Sequence, residues 1–228
     1  MPESRGFRNA LRVESQSRLG VIAEIKRRSP LKGLLSADLD PQKLAHEYES
    51  GGACCLSVLT DVEYFGGSSA DLQKARESVS IPVLRKDFTV DLRDICDARI
   101  MGADALLLIA AALGANELVD FHAFGTEIGL DVLVEIHDEK ELEHALAAQA
   151  TLIGVNQRDL VTFNVDHKRA IRMAGVIPTG VVRVAESGVR DAADARSLRD
   201  AGYDAILVGE SLVTSLDPVE TLRSLRLA

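Results

Sequence analysis

From Val21 onward the chain alternates short apolar runs with amphipathic segments, eight times over. The apolar runs are Val21–Lys26, Cys54–Thr60, Pro82–Phe88, Ala105–Ala110, Asp131–His137, Leu152–Gln157, Val181–Glu186 and Ala205–Gly209. Continuous apolar runs rich in β-branched residues predict strands buried on both faces. Between them the spacing predicts helices over Pro41–Ser50, Ser69–Val79, Asp91–Met101, Ala115–Ile128, Asp138–Ala148, His167–Ala174, Asp191–Ala201 and Pro218–Leu227. Their ends carry stop and start signals: Asp40 before Pro41, Gly51-Gly52 after Ser50, Asp91 with Gly102, and Asp191 with Gly202. Regular β-then-α order requires parallel strands joined by right-handed crossovers, and eight such units close into a (β/α)8 TIM barrel, an α/β fold. A doubly wound open sheet is the alternative, but in place of its glycine-rich first turn stands RRSPLKG. No linker or low-complexity segment divides the chain. Residues 1–228 therefore read as one domain, with 1–20 a short N-terminal extension helical around Phe7–Leu11.

Composition excludes several classes. A formal charge of -9 and a pI near 5.1 argue against nucleic acid or an anionic membrane as partner. The longest apolar run, Ala105–Ala115, falls short of the roughly 20 residues that span a bilayer, and MPESRGFRNALR lacks the apolar core of a signal peptide. Cys54, Cys55 and Cys96 are an odd set with two adjacent members, unlike a disulfide framework, and read as reduced core residues of a cytoplasmic protein. The histidines His46, His122, His137, His144 and His167 lack metal-ligand spacing. His137 alone lies at a strand exit, and reads as a wall or surface residue.

In such a barrel the chemistry sits at the C-terminal strand ends. Glu24 and Lys26 share the pleat face of Ile22, and charges on an inward face are tolerable only where the strand opens into a polar pocket. The plainer reading is a strand-end ion pair before a solvated basic loop, Arg27 to Gly33. It loses ground because the pattern recurs. Lys86 shares the parity of Leu84, with Arg85 and Asp87 facing away; Glu135 shares that of Leu133; Asn156, Arg158 and Glu186 stand at the ends of the sixth and seventh strands. Five polar exits converging on one rim predict a catalytic mouth. Gly188, in ESGV, and Gly209, in VGES, end the seventh and eighth strands, where barrels build phosphate sites from backbone N–H groups. Each glycine alone would signal only a tight turn; together they favour phosphate. Glu210 contributes there only through its amide, with its side chain pointing away.

The motifs AEIKRRSPLKG, VLRKDF, LVEIH, GVNQRDL, AESGV and LVGESL, in that order, make the chain from Phe7 onward resemble indole-3-glycerol phosphate synthase. The resemblance implies conversion of a phosphorylated small molecule, a carboxyphenylamino-deoxyribulose 5-phosphate, with loss of carbon dioxide and water and without cofactor or metal. Lys86 matches the family's general acid and Glu135 the carboxylate that removes a proton in the dehydration. Lys26 matches a residue at the substrate carboxylate or the reacting centre. Glu24 and Asn156 match orienting residues, and Arg158 and Glu186 complete the polar wall. Ser29, Ser187, Gly188 and Gly209 match positions around the phosphate, and Phe88 and Leu207 apolar contacts for the anthranilate ring. Members of the family carry a longer extension packed over the mouth, of which Phe7–Leu11 is expected to preserve the last part. Phosphoribosylanthranilate isomerase, the related alternative, commonly uses a Cys and Asp pair, and no Cys lies at a strand exit. A non-enzymatic phosphate-ligand barrel sits badly with an intact Lys26, Lys86 and Glu135 set. A monomer is compatible with these residues, which do not fix the oligomeric state.

Overall fold

A computed structural model describes residues 2–159 and 162–227. Its centre is a closed, all-parallel barrel of eight strands: β1 (Gly20–Ile25), β2 (Cys55–Leu59), β3 (Val83–Lys86), β4 (Ala105–Ile109), β5 (Asp131–Ile136), β6 (Leu152–Asn156), β7 (Val182–Glu186) and β8 (Ala205–Val208). Each pairs with its chain neighbours, and β1 closes the ring by pairing with both β2 and β8, as Ile22 opposite Cys55 and opposite Leu207 illustrates. This is the predicted (β/α)8 TIM barrel, with strand ends within one or two residues of the sequence reading.

The helices are α1 (Phe7–Ser15), α2 (Pro41–Gly51), α3 (Ser69–Ser78), α4 (Leu92–Met101), α5 (Ala115–Glu127), α6 (Glu139–Ala147), α7 (His167–Ala174), α8 (Ala192–Asp200), the single turn α9 (Glu210–Val213) and α10 (Pro218–Arg226). Asp40 accepts from the amides of Gln42 and Lys43, and Asp91 forms a reciprocal capping box with Asp94. Gly52 and Gly102 end their helices at φ 93° and 90°, where a Cβ would be strained. Asp at the start and Gly past the end are thus physical punctuation. Three elements were not anticipated: α9, a 3₁₀ turn at Ala110–Ala112, and a small hairpin of Arg28–Ser29 with Gly33–Leu34 in the loop after β1.

Strand residues alternate between two apolar layers. One faces the helices, with Val21, Leu56, Leu106, Val134, Ile153 and Ile206; the other fills the lumen, with Ile22, Cys55, Leu84, Leu133, Val184 and Leu207. Helix α1 adds Phe7 and Leu11, both fully buried, to the lumen layer. The chain entering α1 and its first turn are fixed by carboxylates at the N-terminal ends of the strands: Arg5 N–H donates to Asp104 (2.9 Å) and Arg8 N–H to Asp131 (2.9 Å). The Arg226 guanidinium holds Glu14 of α1 at 2.7 Å. The N-terminal piece expected at the mouth therefore plugs the opposite end of the barrel. The reason is shape: Phe7 and Leu11, one helical turn apart, fill the floor left open between the short inward residues Ala105 and Ala205. No helix among the described residues is long and apolar enough to cross a membrane.

Candidate active site

The alternation that carries apolar side chains into the lower lumen carries charged ones into the upper. Two residues beyond Ile22 comes Glu24, beyond Leu84 Lys86, beyond Leu133 Glu135, and beyond Val184 Glu186, while Asn156 ends β6. Glu24, Glu135, Asn156 and Glu186 are all buried. Arg85 and Asp87 face the other way, as predicted, with Arg85 held by Asp87 at 3.0 Å and by the Asp94 carbonyl at 3.1 Å. The inward set forms the floor of a cavity of about 700 Å³ that opens at the C-terminal strand ends. Its position is the one this fold reserves for chemistry.

Lys86 is central. Its Nζ donates to Glu135 Oε2 at 2.9 Å and to Glu186 Oε2 at 2.7 Å. Asn156 Nδ2 donates to the other Glu135 oxygen, Oε1, at 3.0 Å. Across the lumen, Lys26 Nζ and Glu24 Oε1 form a second pair at 2.7 Å. Burial alone would lower the Lys86 pKa, but Glu135, Glu186 and Glu24 more than reverse this and hold the ammonium charged. Burial would likewise raise Glu135; Lys86 and the Asn156 donation bring it below the usual carboxylate range. Glu186 is pushed up to about 7, by burial first, with Lys86 opposing and Glu135 adding to the rise. One ammonium faces two carboxylates, so one carboxylate is driven toward its neutral form.

Two glycines make room for this charge cluster. A Cβ on Gly154 of β6 would lie 2.0 Å from Glu186 Oε1, so that position must be bare for Glu186 to reach Lys86. A Cβ on Gly209 would meet Glu24 Oε1 at 2.4 Å and Lys26 Nζ at 2.9 Å. Gly209 has a φ of -123°, open to any residue, so its smallness serves the Glu24–Lys26 pair. Gly188 is different: its φ is 75°, and a Cβ there would strike Val165 at 2.6 Å. Ser187 before it also lies at positive φ, 66°, a conformation that costs a non-glycine residue energy, and its carbonyl accepts from Gln157 Nε2 at 2.7 Å.

The remaining predicted residues line the same cavity. Ser29 Oγ accepts from the Lys32 amide at 3.2 Å within the loop after β1. The Glu210 carboxylate is engaged by Lys32 Nζ at 2.5 Å. Arg158 is braced by its own amide on Asn156 Oδ1 and by its guanidinium on the Phe163 carbonyl, both at 3.0 Å. Phe88 stands at the rim with its ring edge-on to Tyr64, centroids 6.1 Å apart, and Leu207 lies deeper. Sequence reasoning missed Phe65, Leu107, Ile109 and Arg190, which also line the cavity. Leu107 and Ile109 lie in the unbroken run ALLLI, where no alternation marks the inward face. His137 does not line the cavity: it stands half-buried behind Glu135, as a wall residue. Among the described residues, no group of three or more His, Cys, Asp or Glu could hold a metal ion.

Among solved structures the chain resembles a 3-hexulose-6-phosphate synthase (TM-score 0.73, 14% identity, 92% of this chain and 99% of that one). It also resembles a thiamine phosphate pyrophosphorylase from Pyrococcus furiosus (TM-score 0.69, 14% identity, 93% and 95%). At that identity the likeness concerns the fold alone. An indole-3-glycerol phosphate synthase from Chlorobium phaeovibrioides is 48% identical over 225 residues, covering 99% of this chain and 85% of the relative. One from Koribacter versatilis is 49% identical over 221 residues, 97% and 85%. The family model described as indole-3-glycerol phosphate synthase matches residues 1–225. The chain belongs to the indole-3-glycerol phosphate synthase family.

Proposed function

We propose that this chain is a carbon-carbon lyase of tryptophan biosynthesis that converts 1-(2-carboxyphenylamino)-1-deoxyribulose 5-phosphate to indole-3-glycerol phosphate, carbon dioxide and water. The observation that carries the assignment of roles is the placement of Lys86 Nζ against Glu135 and Glu186 on the floor of the cavity. Lys86, held as an ammonium, donates a proton to the substrate carbonyl oxygen while the ring carbon bearing the carboxylate attacks the carbonyl carbon. That carboxylate then leaves as carbon dioxide and restores the aromatic ring. In the dehydration a lysine protonates the departing hydroxyl and Glu135 removes a proton from the substrate. Two protons are given and one is taken, so each turnover draws one proton from solvent, balancing the carboxylate lost as a neutral gas. The 2.9 Å contact provides a direct return of the proton from Glu135 to Lys86.

Lys26, oriented by Glu24, is placed to meet the substrate carboxylate. Ser29, Ser187, Gly188, Gly209 and the Glu210 amide surround the phosphate; Phe88 and Leu207 contact the anthranilate ring, and Arg158 closes the polar wall. Every residue in this cast comes from one chain, so a monomer suffices, and three free cysteines suit the cytoplasm. Fluorescence of indole-3-glycerol phosphate, followed after substrate is added to the purified protein, tests the reading. Product that disappears in Glu135→Gln supports it. Tight binding without product would mark a binding barrel, and no binding would overturn the assignment.

A further inference from the structure

The site holds two carboxylates against one ammonium, yet the proposed reaction needs a particular one of them, Glu135, to be the free base. Lys86 does not choose between them, since it donates to both at nearly equal distance. The difference lies on their far sides. Glu186 Oε1 has no hydrogen-bond partner among the described residues. Glu135 Oε1 accepts from Asn156 and has the His137 imidazole behind it, with Nε2 at 3.8 Å, an ion-pair distance.

That imidazole is held in place. Glu141 Oε2, on α6, accepts from the His137 backbone N–H at 2.7 Å and lies 3.0 Å from His137 Nδ1. With Nδ1 committed to Glu141, Nε2 can only face inward, and it too is buried without a hydrogen-bond partner among the described residues. Side-chain exposure rises outward along the row, from 3% at Glu135 to 12% at His137 and 17% at Glu141. We infer that His137, clamped by Glu141, is a positioning residue that assigns the base role to Glu135 by setting an imidazolium behind its carboxylate. The shared proton then resides on Glu186, whose free oxygen has no cation behind it. This inference rests on the reading of Glu135 as the base.

The charged groups facing His137 are Glu135 on its own strand, Glu141 on α6 and Arg169 on α7. Burial and Arg169 oppose protonation of the imidazole; the two carboxylates outweigh them, and the net shift of His137 is upward. A cation at this distance lowers the pKa of a carboxylate by about one unit. Replacing it with a neutral amide, His137→Gln, therefore moves the acid limb of the kcat/KM profile up by about one pH unit. Activity falls about tenfold on the acid side and recovers to within about twofold above the limb. Glu141→Gln, an isosteric change on the half-buried first turn of α6, shifts the limb in the same direction by less. An acid limb that stays put in both variants, with kcat reduced evenly at all pH, would show a merely structural histidine and overturn the inference. The coupling is also read without turnover. The imidazole resonances of His137, followed by NMR, titrate at lower pH in Glu135→Gln than in the unaltered protein, and an unchanged midpoint refutes the pairing. If the unaltered protein makes no product while this coupling is present, the assigned reaction fails and the ion pair stands.

Discussion

The lower and upper halves of the barrel lumen are built by the same strands, two residues apart, and meet opposite demands. Below, Phe7, Leu11, Ile22, Leu84, Leu133 and Val184 pack as an apolar plug. Above, Glu24, Glu135 and Glu186, themselves buried, face Lys26 and Lys86 in the open cavity. Apolar burial stabilises the fold at about 25 cal/mol per Å², whereas burying ions costs energy that their pairing only partly recovers. Three carboxylates to two ammonium groups leave a surplus negative charge, which adds to burial in pushing Glu186 up to about 7. The floor thus supports the fold and the mouth draws on that support.

Substitutions at either end should separate these roles. The largest effect is expected from Lys86→Met: a methionine of similar length keeps the cavity filled but has no proton to give, so kcat falls about a thousandfold with substrate affinity changed little. Equal losses in binding and turnover would make Lys86 a binding residue. Phe7→Ala, on the floor, should cost about 3 kcal/mol in urea unfolding, while the folded fraction keeps its kcat. A fall in kcat to match would show that the two halves are coupled.

Glu186→Gln addresses the pH dependence. Because the folded pKa of Glu186 is raised, its contribution to stability is full at low pH and is lost as pH climbs from the unfolded value near 4.5 through about 7. The unaltered protein should lose about 2 kcal/mol across that window relative to the Gln variant, measured as unfolding midpoints at pH 5 and pH 8. A parallel pair of curves would mean that Glu186 is ionised throughout. Smallest is Lys32→Ala. Its pair with Glu210 is exposed, so the loss in stability should stay below about 0.5 kcal/mol and vanish at high salt.

How much of this was legible beforehand follows from the range of the forces involved. Strand parity is local, so Ile22 with Glu24, or Leu84 with Lys86, could be placed inside by counting in twos. Helix punctuation at Asp91 and Gly102 is local as well. What escaped depends on distant partners. Phe7 and Leu11 show one apolar face, but nothing near them says which end of a barrel will receive it. Gly154 looks like any small strand residue until Glu186, a neighbour across the sheet, is seen to need its space. The single turn Glu210–Val213 is too short for periodicity to register. His137 differs from a surface histidine only through Glu141, which reaches back from the following helix.

Because Phe7 and Leu11 of α1 fill the lower lumen, the cavity at the other end opens at the C-terminal strand ends. If the cavity at the strand ends is where the reaction runs, the indole product leaves past the same rim residues that the substrate passes on entry. The Phe88 and Tyr64 rings at that rim therefore meet both what enters and what leaves.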